Sequence, residues 1–130
     1  MATWDDLARY VRSTYTVAEE RPGFMMMVFD IGGGRSQIVS LSQQSLLDGA
    51  EDWAVIESPF AEVGSVSLQR VLEEVGGAVC GGAALQGKHV VFRHSVPLAN
   101  LDLNEFERPL TLVMGTADRL ERQLFGGDKY

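Results

Sequence analysis

The chain has a single cysteine, Cys80, among its 130 residues, so no internal disulfide can form. A reducing compartment and a fold held by packing alone follow from that. Between Val79 and Gly81, Cys80 reads as a small buried side chain rather than as a nucleophile. Positive charge is also scarce: 11 Lys and Arg against 18 Asp and Glu give a net charge of −7. This balance opposes counterion release at phosphate backbones, and no local basic cluster offsets it, so nucleic acid is excluded as the expected partner. No stretch approaches the ~18 apolar residues of a membrane span. The start, MATWDDLARYV, carries early acids and lacks the basic opening and apolar run of a secretory signal. A cytoplasmic protein of bacterial type, without membrane contact, is expected.

Readable catalytic machinery is missing as well. The two histidines, His89 and His94, are five apart on one expected strand; odd spacing sends them to opposite faces, where they cannot share a metal. No serine or cysteine has a histidine base beside it in sequence, and nothing resembles a G-x-S-x-G elbow. The acidic pairs Asp5-Asp6, Glu19-Glu20, Glu51-Asp52 and Glu73-Glu74 fall at helix starts, turns and polar faces, where solvation explains them. No enzyme, no cofactor and no metal site are expected.

What is present is an ordinary globular composition, 45% hydrophobic and 22% charged, long enough for one core and one domain over 1–130. Thr3 caps a helix whose Trp4, Leu7, Ala8 and Val11 share a face. Residues 14–20 alternate as a strand, and Arg21-Pro22-Gly23 turns the chain. Residues 24–31, FMMMVFDI, are apolar on both faces, as in an interior strand, and 36–43 alternate again. The glycines between them form a hairpin loop of four residues, 32–35, which sets Ile31 opposite Ser36, Val28 opposite Val39 and Met26 opposite Leu41 on a core-like face. Phe29 then meets Ile38, while Met25 and Met27 meet serines on a mixed face.

Residues 45–52 read as a polar connection, and 53–56 as a short strand ended or edged by Pro59. Leu68, Val71, Leu72 and Val75 make a second helix, capped by Ser65 or Ser67 and stopped by Gly76-Gly77. Residues 79–85 and 88–96 form a final hairpin. Leu103, Phe106, Leu110, Val113, Ala117, Leu120 and Leu124 follow helical steps without a break. Asp102 and Glu105 resemble a capping box, Pro109 sits near the helix start, and Gly126-Gly127 ends it. The expected fold is α+β, an antiparallel sheet of five to six strands in the order α-β-β-β-(β)-α-β-β-α.

Two stretches carry candidate binding chemistry. Asp30, Gly32, Gly33 and Gly34 end a strand in a way that resembles the first phosphate loop of the actin-like ATPases, where glycine N–H groups approach phosphate and the acid helps hold a metal. A chain of this length lacks the second subdomain and second loop that such a site requires, and a glycine-rich hairpin turn explains the same residues. Methionines adapt to partners of varied shape. On the register above, Met25, Met27, Phe29 and Ile38 form a sheet face open to a peptide or a second subunit.

The run His94-Ser95-Val96-Pro97-Leu98-Ala99-Asn100-Leu101-Asp102-Leu103 is a strand end leading into the last helix. Leu110, Val113, Ala117-Asp118 and Leu120-Glu121 follow it. This junction, with the element order, resembles the YbjN-type relatives of the type III secretion chaperones (the Tir chaperone-like superfamily). The resemblance implies a curved antiparallel sheet carrying helices, a homodimer and a non-enzymatic, chaperone-like role with a polypeptide client. It carries over no catalytic residue. A phosphate- or nucleotide-binding domain using the Asp30 turn, and a structural dimer subunit without a client, are the alternatives.

Overall fold

The computed structural model describes residues 2–125, with the side chain of Phe125 left aside. Helix α1 (Trp4–Thr14) opens on a reciprocal cap in which Asp6 N–H donates to Thr3 Oγ1 at 3.2 Å and Thr3 N–H donates to Asp6 Oδ2 at 3.0 Å. The bonds with Thr3 hold the Asp6 carboxyl below its ordinary range. The buried stripe is the expected one: Trp4, Leu7, Ala8 and Val11.

Strands β1 (Val17–Arg21), β2 (Phe24–Gly32), β3 (Arg35–Leu46) and β4 (Glu51–Glu62) follow, then α2 (Leu68–Val75), β5 (Gly82–Gln86), β6 (His89–Pro97) and α3 (Glu107–Phe125). They form one six-stranded sheet in the order β1-β2-β3-β4-β6-β5, with every neighbouring pair antiparallel. The class is α+β, with four strands before α2. All three helices lie against one face of the sheet, and the buried cluster unites Leu7, Val11, Met25, Met27, Val39, Leu41, Ile56, Phe92, Leu110, Val113 and Leu120. No helix among the described residues is long and apolar enough to cross a membrane.

The β2–β3 register differs from the expected one, and a bulge is the reason. Gly33 and Gly34, with φ of 63° and 76°, make a two-residue turn that sets Gly32 opposite Arg35. The pairing then shifts between Asp30 and Gly32 and leaves Ile31 without a partner. Phe29 therefore faces Gln37, Met27 faces Val39 and Met25 faces Leu41. A slip of one residue exchanges the faces of a strand, so Met25 and Met27, expected on the mixed face, are 1% and 0% exposed beneath the helices.

Pro59 neither ends β4 nor sits at an edge; it lies inside a central strand. The structure accommodates it by parting β3 from β4. Their backbone pairing stops at Ser40 and Glu57, so the missing N–H of Pro59 breaks no ladder bond on that side. Side chains span the gap. Gln37 Nε2 donates to Ser58 Oγ and to the Pro59 carbonyl, each at 2.8 Å, and Ser58 Oγ donates to the Ile38 carbonyl. At the other end of these strands the pairing outruns expectation: Ser45 pairs with Asp52 and Leu46 with Glu51, so the expected polar connection is a hairpin arm. Its turn holds Leu47 and Asp48 at φ of 53° and 55°.

The final hairpin is shorter than expected. Val79 and half-buried Cys80 lie in the approach to β5, and Gly81, at φ of 82°, passes so close to the Phe92 ring that a Cβ would stand 2.6 Å from it. The C-terminal stripe buries Phe106, Leu110, Val113, Ala117 and Leu120, but a short 3₁₀ turn, Leu103–Phe106, precedes α3. Asp102 serves that turn through its backbone carbonyl, which accepts from Glu105 N–H at 2.8 Å, and makes no side-chain cap. Pro109 falls in the first turn of α3, where N–H groups lack intrahelical acceptors. The expected Gly126-Gly127 stop lies outside the described residues.

Candidate functional site

Among the described residues, three helices lie on one face of the sheet and none on the other. Phe24 and Met26 of β2, Ile38 and Ser40 of β3, Glu57 and Pro59 of β4, and Val91 of β6 line a trough of about 350 Å³ across it. Arg21, Gln86 and His89 stand at its rim. The trough lies where β3 and β4 part. Val55, Glu57 and Val91 are buried although no helix among the described residues covers them. The walls are apolar, and Val28 continues the apolar row of β2 at 48% exposure.

Its polar groups are few and placed. The Arg21 guanidinium lies 4.2 Å over the Phe24 ring and pairs with Glu19 at 3.3 Å, which holds the ring at the trough's end. Glu57 stands on the floor. Its Oε1 accepts from Gln86 Nε2 at 3.1 Å, while Oε2 is 3.7 Å from Arg93 Nε.

Of the four residues expected on a binding face, only Ile38 stands on this one. Phe29 is half-buried on the helix side, edge-to-face with Tyr15 at 5.5 Å between ring centres. Tyr15 and Tyr10 both donate to Glu107 Oε1, at 3.3 and 3.2 Å, which fastens α1 to the start of α3. Burial, and then the Glu107 charge, push the Tyr15 phenol up to about 12. Asp30, Gly32, Gly33 and Gly34 are together at the hairpin tip, where Asp30 Oδ1 accepts from Gly32 N–H at 2.9 Å; this carboxylate closes its own turn. His89 and His94 are on opposite faces, His94 opposite Ile56 on the covered side.

Sequence reasoning missed Met26, Glu57, Pro59 and Val91. One signal was legible: Glu57 is a lone acid in the otherwise apolar or neutral run 54–61, where a strand buried on both faces has no ordinary use for a charge. A second apolar surface also escaped notice. Leu68, Val71 and Leu72 of α2 meet Leu85 and Val90 around a groove of about 150 Å³ beside the edge strand β5.

No protein-family model and no curated protein matches the chain. Among solved structures, it superposes on a chain of the HopA1–SchA chaperone–effector complex, with a TM-score of 0.63 over 91% of this chain and 89% of that one, at 15% identity. The fold is secretion chaperone-like. Likeness at that identity is a likeness of backbone. The backbone fold is what the likeness shows, and it says nothing of the side chains on the uncovered face.

Proposed function

We propose that this protein binds extended or partly unfolded polypeptide on the uncovered face of its sheet, without catalysis, and that it does so as a cytoplasmic homodimer of the YbjN-like kind. One observation carries the reading: an apolar trough floored by Met26, Ile38, Pro59 and Val91 crosses a sheet whose three helices all lie on the other side. Extended chains suit such a surface, because side chains at alternate positions reach the floor while the backbone stays solvated at the rim. The secretion chaperone-like fold supports the same class of partner. The α2–β5 groove supports the dimer, since Leu72 is 65% exposed there beside Leu68 and Leu85.

The test is binding of a reduced, unfolded model polypeptide, followed by fluorescence anisotropy, to the parent protein and to Met26→Asp. A charge on the trough floor weakens binding about tenfold or more with the melting temperature little changed. Equal binding by both proteins refutes this face as the site.

A further inference from the structure

The floor of the trough holds a carboxylate that its own surroundings leave incompletely used. Glu57 is 5% exposed, on the face that no helix of the described residues covers. A carboxylate offers about four acceptor positions. Oε1 takes one hydrogen bond, from Gln86 Nε2 at 3.1 Å. Oε2 has Arg93 Nε at 3.7 Å, beyond hydrogen-bond reach, and the Arg93 side chain is 43% exposed. A buried carboxylate recovers most of its lost hydration when a cation closes on it to a charge-assisted hydrogen bond of about 2.8 Å, and a half-exposed arginine at 3.7 Å supplies only part of that. This pair does not close, and the Glu57 carboxylate lines the trough.

We infer that Glu57 is the anchor for a lysine or arginine side chain of the bound polypeptide, with Met26, Ile38, Pro59 and Val91 covering the aliphatic stem. Long cationic side chains have the required shape, an apolar stem ending in hydrogen-bond donors. The net charge of −7 favours the approach of such segments over acidic ones. Specificity then lies in one buried acid on the apolar floor, which rejects clients that bring an acid to this position. The inference rests on the polypeptide-binding reading and adds the chemistry of the residue that reading selects.

The experiment uses an immobilised panel of short extended peptides, each made with lysine, arginine, norleucine or glutamate at its centre, probed with the intact protein and with Glu57→Gln. The expected result is about tenfold tighter binding of the lysine and arginine peptides than of their norleucine counterparts, with glutamate weakest, and loss of that preference in Glu57→Gln. The lysine-to-norleucine comparison needs only the parent protein, so it stands even where the variant folds poorly. Binding that ignores the central residue overturns the cation anchor and leaves the polypeptide-binding reading intact. Failure to bind any peptide of the panel overturns both.

Discussion

Gln37 donates its side-chain amide to Ser58 Oγ at 2.8 Å at the point where the backbones of β3 and β4 have stopped pairing. The side chain replaces a ladder that Pro59 could not complete, and the parting it bridges is what opens the trough. Gln37→Leu keeps the volume and removes both donations. It strands the Pro59 carbonyl, and relief of the buried Gln37 Oε1, which has no partner, offsets part of that cost. A loss of about 1 to 2 kcal/mol in urea unfolding is expected, and an unchanged midpoint would deny the bridge its role.

The two faces of β2 respond oppositely to charge. Met27→Asp places a carboxylate beneath the helices and costs about 4 kcal/mol or more, enough to unfold much of the population. Met26→Asp, one residue away on the half-exposed side, costs about 1 kcal/mol or less. Thermal melts of the pair check the register itself: the reverse ranking restores the pairing without the bulge.

Residues 24–31 are apolar on both faces, so alternation gives no vote on which methionines point inward, and everything depends on the turn. The turn's own pairing, Gly32 with Arg35, agrees with the loop-based register; the slip occurs one step later, at Ile31, which no local composition marks. Helices α1 and α3 were legible because stripes such as Leu7–Val11 in one and Leu110, Val113, Ala117 and Leu120 in the other are statements about one element alone. Strand β6 entering between β4 and β5 depends on contacts distant in sequence and leaves no local trace. The site was misread for the same reason as the register, since its residues are the other half of the same alternation.

Tyr15 reports on the clasp between α1 and α3. The fold favours the neutral phenol, so the native state keeps this proton to about pH 12 while an unfolded tyrosine loses it near 10. The stabilisation is fully present below pH 10 and is lost as pH rises through about 12. A tyrosinate absorbance titration is expected to show Tyr15 as a late component, with Tyr10, raised by burial and then by its Glu107 hydrogen bond, ionising above its ordinary value as well. Glu107→Gln removes the charge and lowers the Tyr15 midpoint without abolishing the shift, because burial is the larger cause.

The dimer is expected to depend on α2. Leu72→Asp puts a charge on the most exposed leucine of the α2–β5 groove; under the proposed dimer, light scattering is expected to give twice the monomer mass for the parent protein and a folded monomer for the variant. A variant that keeps the parent's mass moves the interface elsewhere.

The most direct measurement of the central claim is a methionine-methyl NMR titration with an unfolded polypeptide. If the uncovered face is the binding surface, the Met26 methyl resonance shifts or broadens on addition of ligand while those of Met25 and Met27, sealed beneath the helices, stay in place. Perturbation confined to Met114 on α3, with Met26 unmoved while polypeptide binds, would contradict the account.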